Sequence, residues 1–397
     1  MPDTILAATD PETLGFAKAG LRRLTDVLRH DIERHVLPGA VALVSRQGQI
    51  GLFEALGVQD AASGVPMRPD SIFRIYSMTK PIVSVGLMML VEEGKLKLDD
   101  PLAKYLPEFA EPKVAIERDG TLSLVPTARP ITIQDLLRHT SGLSYDFVAT
   151  GALGQLYAQA GLRDRSQTAA EFCVKLAQLP LLHQPGACWA YGHSTDVIGR
   201  VIEIVAGKAL GTYLSETVFG PLGMIDTGFH VPAEAAGRIA EPLAADPETG
   251  DPISLPDMRI EPASQSGGGG LVSTAMDYAR FCQMLCNGGS LGGERLLGRA
   301  TLDFMMSDHL GSAIAIDPTW DMLPAGHGFG LGFAVRTQSG VAPFPGSLGT
   351  VHWGGIAGTS FWIDPKERLF AILLIQAPGQ RRHYRNLFRA LVYGALA

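Results

Sequence analysis

The sequence is poor in cysteine and in charge, and it lacks long apolar runs and clusters of basic residues. Four cysteines in 397 residues are too few for a disulfide scaffold. We expect Cys282 and Cys286, i and i+4 in an apolar helical segment, to be buried free thiols. No run approaches the ~18 consecutive apolar residues of a membrane-spanning helix, so no membrane contact is predicted. The 33 basic against 40 acidic residues give a net charge of −7, which argues against nucleic acid as the main partner.

Targeting and metal-binding signals are also missing. The first residues, MPDTILAATDPET, have no basic stretch followed by an apolar one, so no signal peptide is predicted. Together with the few cysteines, this favours a reducing compartment, and we predict a cytoplasmic protein. The ten histidines include no H-E-x-x-H, and we predict neither a metal site nor a cofactor.

What remains is the composition of a large folded chain. Hydrophobic residues make up 46% and charged residues 18% of the sequence, which excludes intrinsic disorder. The length corresponds to about two to three domains. Glycine is the unusual residue, with 46 copies where about 28 would be usual. Because these glycines have no three-residue period, collagen is excluded.

Apolar periodicity predicts hairpins and helices at both ends of the chain and a helical middle. We predict an α+β fold whose two ends form one antiparallel sheet, flanked by the N- and C-terminal helices, with an all-helical domain inserted. The sheet domain is expected to comprise residues 1–95 and 266–397, and the mainly helical domain residues 96–265. Strands are predicted at 40–45, 50–55, 328–336, 350–363 and 369–376, and helices at 17–36, 78–94, 132–142, 166–179, 195–206, 210–218, 274–287 and 381–396.

Ser290 lies in GGSLG at 288–292, which matches the G-x-S-x-G pattern of a nucleophile elbow. That elbow needs a strand before the serine and a helix after it. Here a helix capped at Thr274 precedes the serine and a loop follows it. We therefore interpret this match as the end of a helix followed by a surface turn.

Ser77 and Lys80 form the chain's single S-x-x-K match, at the start of a strongly apolar helix. Residues i and i+3 share a helix face, so the Lys80 amine can reach the Ser77 hydroxyl. The helix N-terminus and the apolar run disfavour the protonated lysine, which can then act as a general base. Backbone N–H groups at a helix start can also bind an oxyanion. The motif alone is equally compatible with an N-cap serine beside a structural lysine.

Two further segments could complete a site. Tyr191, in the loop PGACWAYGHS at 185–194, could carry protons if a cationic lysine stabilises its phenolate, although it could also be an ordinary half-buried tyrosine. His193 is a competing base that we interpret as structural. The segment VHWGGIAGT at 351–359 places glycines in a strand, which is typical of close backbone approach or of a bulge. An edge strand of this kind can present an N–H to a substrate carbonyl.

These elements, in this order and spacing, resemble the serine β-lactamase/penicillin-binding-protein superfamily, most closely its class C β-lactamase-like branch and the family VIII carboxylesterases. The resemblance runs from about residue 39 to 376. It includes ITIQDLLRHTSGL at 131–143, PGACW at 185–189, PLGM at 221–224 and GGGLVS at 268–273. It implies a β-lactamase/transpeptidase-like fold with the active site in the cleft between the two domains.

The resemblance also implies roles for individual residues. Ser77 would be the acylated nucleophile, Lys80 its activating base and Tyr191 the proton relay. The backbone N–H groups of Ser77 and Gly355 would form the oxyanion hole. The candidates for substrate binding are Tyr145, His352, Trp353 and Gly354.

Two departures from the β-lactamase motifs favour an esterase. Where those enzymes have Y-x-N and K-T-G, this chain has His193 at the third position and His352-Trp353-Gly354. The resemblance therefore implies hydrolysis of small carboxylic esters, most simply of short-chain acyl esters, by an acyl-enzyme mechanism without a cofactor. A β-lactamase, a small-amide hydrolase or an acyltransferase is the alternative. A non-catalytic scaffold is disfavoured because the whole Ser-Lys-Tyr set is present. The oligomeric state is not predicted.

Overall fold

A computed structural model describes residues 6–118, 121–318 and 322–397, so the first five residues of the N-terminal segment lie outside the described part. Its centre is an eight-stranded sheet in which every neighbouring pair is antiparallel. The strands are β1 Gly39–Arg46, β2 Gln49–Asp60, β3 Val65–Pro66, β4 His327–Phe329, β5 Ala334–Arg336, β6 Val351–Gly354, β7 Ser360–Asp364 and β8 Leu369–Leu374. The spatial order β4-β5-β6-β7-β8-β1-β2-β3 places the first strand of the sheet beside the last, which confirms the predicted fold class.

The described residues also form eleven α-helices. They are α1 Lys18–Glu33, α2 Thr79–Glu92, α3 Ile133–Leu137, α4 Gly151–Gln159, α5 Ala169–Ala177, α6 Ser194–Ala206, α7 Leu210–Leu214, α8 Gly220–Leu222, α9 Ala275–Cys286, α10 Arg299–Met305 and α11 Arg381–Tyr393. Threonine hydroxyls cap α3, α5 and α9 by accepting a backbone N–H of the first turn, as their sequence pattern predicts. Among the described residues, every helix is too short or too polar to cross a membrane.

The sheet separates two apolar layers because side chains alternate along each strand. In β1, Ala42 packs with Leu24 of α1 and Phe388 of α11. Its neighbour Leu43 faces the other way, into the larger core that also contains Ile82 of α2. The terminal helices therefore cover one face of the sheet, and the helices that carry the predicted site cover the other.

The segment between β3 and β4 contains helices α2 to α10, with α2 packed against α6. It also contains a hairpin, Lys113–Arg118 paired with Thr121–Pro126, that the sequence analysis did not predict. The domain boundaries at residues 95 and 265 remain a prediction.

Two predicted strands are in fact hairpins. The apolar run 350–363 forms β6 and β7, joined by a turn in which Gly358 has a φ of +112°. The run 328–336 forms β4 and β5, with Gly332 at +100° in the turn. Periodicity could not reveal either turn, because the glycines reverse the chain without interrupting the apolar pattern.

The prediction for the thiols was also wrong in part, since Cys282 is buried but Cys286 is exposed.

Candidate active site

Ser77 lies in a single 3-10 turn, Tyr76–Met78, that leads directly into α2. The turn is anchored to α9, because the Tyr278 hydroxyl donates to the carbonyl of Met78 at 3.0 Å. Tyr76 has a φ of +44°, a left-handed conformation that costs a non-glycine residue on the order of 1 to 3 kcal/mol. Strain of this kind immediately before a half-buried serine is typical of a functional turn.

Lys80 is fully buried, with 0% of its surface exposed. Its Nζ donates to the carbonyl of Gly268 at 2.7 Å and to the hydroxyl of Tyr145 at 3.0 Å. It also lies 4.5 Å from the ring centroid of Tyr191. A buried lysine amine needs such partners. The two hydrogen bonds hold the amine beside Tyr191, the tyrosine that the sequence analysis proposed as the proton relay.

Tyr191 is buried in the loop before α6. Its hydroxyl accepts a hydrogen bond from Nε1 of Trp353 at 3.2 Å, so Trp353 lies in the site as predicted, but as a donor to Tyr191. Gly192 permits this loop to pack closely, because a Cβ there would lie 2.0 Å from the carbonyl oxygen of Leu143. The structure thus brings Lys80, Tyr191 and Trp353 together.

The glycines after Trp353 approach the chain just before Ser77. A Cβ on Gly355 would lie 2.5 Å from the carbonyl oxygen of Ile75. The Gly355 N–H, however, donates to the carbonyl of Thr359 at 2.8 Å, so it is not available for the oxyanion role predicted for it. The next amide, that of Ile356, has no hydrogen-bond partner among the described residues. This hydrogen bond within the turn between β6 and β7, which motif spacing does not reveal, therefore shifts the candidate donor by one residue.

His352 does not line the catalytic cleft, contrary to the prediction. It lies opposite Trp362 in β7, on the face of the sheet that α11 covers, and its ring is 5.1 Å from that of His327. Gly354 faces the same way, since a Cβ there would meet the guanidinium of Arg385. Because alternate residues of a strand face opposite sides, only Trp353 of this triplet projects its side chain toward Tyr191.

Tyr145 is more than the apolar wall that the sequence suggested. Its hydroxyl is the acceptor for Lys80, and its ring stacks on Phe147 with centroids 4.8 Å apart. Burial, with the nearby charge of Asp196, raises the pKa of Tyr145 well above its usual value. Tyr145 is therefore a neutral phenol that positions Lys80.

Asp196 is a residue of the site that the sequence analysis missed. Its carboxylate accepts from Nδ1 of His193 at 3.0 Å and from the N–H of Gly268 at 3.0 Å, the glycine whose carbonyl binds Lys80. Burial alone would raise the pKa of Asp196, but the hydrogen bond and charge of His193 and the charge of Lys80 lower it to about 2. The sequence did offer a signal for Asp196, because an acidic residue in the first turn of a helix, three residues after His193, is placed to accept from that histidine.

His139 is a second missed residue. It is buried, its ring lies 4.8 Å from that of Tyr191, and neither ring nitrogen has a hydrogen-bond partner. Burial and the charge of Lys80 lower the pKa of His139 well below its usual value. It is therefore neutral at pH 7 and supports Tyr191 through ring packing.

A cavity of about 190 Å³ adjoins these groups. Ser77 does not line it, but one of its lining residues, Tyr145, contacts Lys80. No group of three or more potential metal-ligating side chains occurs among the residues that the structure describes. The lining combines the rings of Tyr145, Phe147, Tyr157 and His193 with the charged side chains of Asp146 and Arg163 and with Ala158, Gly161 and Leu162.

Ser290 lies outside this site. It begins a two-residue strand, Ser290–Leu291, which follows α9 and pairs with Glu294–Arg295. Gly288 and Gly289 before it have φ values of +75° and +101° and end the helix. The interpretation as a helix end and a turn is confirmed.

We expect Asp196→Asn to destabilise the protein at pH 7 and to do so less as the pH falls. The folded-state pKa of about 2 lies below the unfolded value of 3.8, so the ionised group stabilises the fold above pH ~4. The wild type loses this contribution, on the order of 2 kcal/mol, as the pH falls from about 4 toward 2. Urea unfolding of both proteins at pH 7, 5 and 3 measures the difference. A difference that stays constant over this range would contradict the ionised state assigned to Asp196.

Comparisons with known proteins cover nearly the whole chain. A protein-family profile described as Beta-lactamase matches residues 24–394. Esterase EstB of Burkholderia gladioli is 35% identical over 393 residues, with 93% of each chain covered. Protein Rv1367c of Mycobacterium tuberculosis is 36% identical over 360 residues, with 88% of each covered. The solved structure of EstCE1, described as a hydrolase with promiscuous acyltransferase activity, has a TM-score of 0.77 at 29% identity and covers 95% of this chain and 99% of that one.

Proposed function

The chain belongs to the beta-lactamase family, among the family VIII esterases of the β-lactamase/penicillin-binding-protein superfamily, and on this basis we propose that it is a carboxylesterase acting through an acyl-enzyme on Ser77. The observation that carries the proposal is the environment of Lys80. A fully buried lysine, one helical turn after a serine on a strained turn, is held by Gly268 and Tyr145 against the face of Tyr191. A buried amine that lies beside a phenol, one helical turn after a serine, can take the proton of the serine hydroxyl.

In the acylation step, Oγ of Ser77 attacks the ester carbonyl carbon while its proton passes to Lys80 or to Tyr191. The carbonyl oxygen becomes an oxyanion. We assign the N–H groups of Ser77 and Ile356 as its donors, because neither has a hydrogen-bond partner among the described residues. Loss of one such donor costs about 3 kcal/mol in comparable sites.

The proton then moves through Tyr191. The tetrahedral intermediate collapses as the ester C–O bond breaks, and the Tyr191 hydroxyl protonates the departing alcohol. The donor Nε1 of Trp353, 3.2 Å away, stabilises the resulting phenolate. That phenolate next takes a proton from water, whose oxygen attacks the acyl-enzyme. As the second intermediate collapses, the bond between the acyl carbon and Oγ of Ser77 breaks, Tyr191 or Lys80 returns a proton to that Oγ, and the acid is released.

The cavity beside Tyr145 supports a preference for small acyl groups. It measures about 190 Å³ and its lining is predominantly aromatic and aliphatic, which suits an apolar acyl chain of limited length. The strand at 352–354 offers neither the lysine nor the threonine of the K-T-G motif. In the β-lactamases, this lysine and threonine hold the carboxylate of the β-lactam. The strand of this chain therefore has no equivalent of that carboxylate site.

We expect short-chain nitrophenyl esters to be hydrolysed with kcat/KM at least about 10²-fold above that for nitrocefin, because the carboxylate of the β-lactam lacks its partners. A panel of esters with two to twelve acyl carbons, run beside nitrocefin on one preparation, measures both the acyl preference and the ratio. Nitrocefin turnover equal to that of the best ester would assign the chain to the β-lactamases instead.

Acyl transfer is a second candidate, which the similarity to the promiscuous acyltransferase EstCE1 favours. It shares the acyl-enzyme and differs only in the nucleophile of the second step. Adding a primary alcohol to the ester assay distinguishes the two, since transfer yields a new ester in place of free acid. A product mixture that contains only free acid would exclude transfer to that alcohol.

A further inference from the structure

A second cavity, of about 160 Å³, lies on the other face of the sheet, between the β6–β7 hairpin and α11. Arg381, Arg385 and Arg389, spaced along one side of α11, contribute to its lining. No acidic residue lines it among the described parts of the chain. The acyl-enzyme chemistry proposed above makes no use of this arginine pocket.

The floor of the arginine pocket carries polar groups without partners. Ser360 and Trp362 are 5% and 1% exposed, and neither Oγ of Ser360 nor Nε1 of Trp362 has a hydrogen-bond partner. Nε of Arg385 is likewise buried and unpartnered. Buried donors without acceptors are rare in folded proteins because each loses its bond to water. Their convergence on one cavity indicates a missing acceptor.

The two inner arginines are placed directly over this floor. Arg385 lies against Gly354, the residue that pairs with Ser360. The guanidinium of Arg389 lies 5.3 Å from the ring centroid of Trp362 and 4.3 Å from that of Phe344. Donors from helix and sheet therefore surround the same small volume.

The positive charge in the arginine pocket is poorly compensated. Burial, reinforced by Arg381, lowers the pKa of Arg385 to about 10, and burial lowers the pKa of Arg389 to about 10. Both remain charged at pH 7. The carboxylate of Asp364 offsets part of this lowering at Arg389, but Asp364 does not line the pocket. Buried cations of this kind call for a counter-anion.

We propose that the arginine pocket binds a small oxyanion, a carboxylate or a phosphate, through Arg385 and Arg389 and through the donors of Ser360 and Trp362. Guanidinium groups match the planar or tetrahedral oxygens of such anions. Arg385 also donates to the carbonyl of Gly355, next to the Ile356 amide. An anion that fixes Arg385 therefore fixes the strand end that faces the catalytic site.

Thermal unfolding with increasing inorganic phosphate or acetate, at constant ionic strength set with sodium chloride, tests the proposal. A ligand of the folded state raises the midpoint with its concentration, so we expect a saturable rise that chloride alone does not give. Ser360→Ala removes one donor that has no other partner and should weaken binding about tenfold, and Arg389→Met should weaken it more. Arg23→Met, an exposed arginine of α1, is the matched control and should bind as the wild type does.

The absence of a saturable rise in the wild type would overturn the proposal. Binding by both Ser360→Ala and Arg389→Met as tight as that of the wild type would also overturn it. The source of the anion is tested separately with paired esters that do or do not carry a terminal carboxylate. If the wild type prefers the ester that carries the terminal carboxylate, and Ser360→Ala loses this preference, the anion is part of the substrate. Equal turnover of the pair, with phosphate binding intact, would identify a free ion. The phosphate and acetate titrations are measured without turnover, so their result does not depend on the esterase assignment, whereas the paired-ester test does.

Discussion

Ser77→Ala is expected to lower kcat for a short-chain nitrophenyl ester by at least about 10³-fold. The substitution removes the atom that forms the acyl-enzyme, and loss of a serine nucleophile costs up to about 10⁶-fold in other serine hydrolases. The fold should be unaffected, because the turn is held by backbone groups such as the Met78 carbonyl that accepts from Tyr278. A stopped-flow burst in the wild type, absent from the variant, and a phosphonate mass adduct located on Ser77 are the measurements.

Ser290→Ala is the matched control, since Ser290 has the other serine motif of the chain but lies in a surface turn after α9. We expect its kcat and its phosphonate adduct to equal those of the wild type. Normal turnover by Ser77→Ala together with an inactive Ser290→Ala would refute the assignment of the nucleophile.

Local patterns in the sequence predicted the parts of the fold that depend on neighbouring residues. The capping box of Thr132 and Asp135 marked the start of α3, and the short apolar runs at 40–45 and 50–55 marked the hairpin of β1 and β2. The S-x-x-K spacing marked the start of α2. In each case the interaction lies within a few residues, where spacing alone determines the geometry.

The parts that the sequence did not predict depend on pairing between distant segments. Whether an amide is free or already paired is decided in the turn between β6 and β7, where the carbonyl of Thr359 accepts the N–H of Gly355 and leaves that of Ile356 without a partner among the described residues. The pleat likewise turns His352 toward α11. Asp196 joins the site only because the segment at Gly268 folds back onto α6. Such contacts leave no periodic signal in one sequence.

Close backbone packing accounts for part of the glycine excess. A Cβ on Gly268 would lie 2.5 Å from a carboxylate oxygen of Asp196, and one on Gly355 would lie 2.5 Å from the carbonyl oxygen of Ile75. Neither position has room for a side chain, and each joins two segments that carry site residues. At these positions, glycine permits the serine turn, the start of α6 and the end of β6 to meet the segments that pack against them.

Tyr191→Phe is expected to lower kcat by about 10²- to 10⁴-fold, the usual contribution of a general acid–base group. The variant keeps the ring that packs against Lys80 and His139 and removes only the oxygen that accepts from Trp353. KM should change little, because the proposed role lies in proton transfer and not in substrate binding.

The control for this variant is Tyr213→Phe, which also removes a buried hydroxyl, in this case one that donates to the carbonyl of Gly86 at 2.9 Å. It should cost about 1 kcal/mol of stability and leave kcat unchanged. If Tyr191 also activates the deacylating water, Tyr191→Phe will accumulate the acyl-enzyme, and intact-protein mass spectrometry after brief exposure to ester will detect it. If the kcat of Tyr191→Phe is within about threefold of that of the wild type, Lys80 is the sole base of the site. The Ser77–Lys80 pair would then carry both proton transfers.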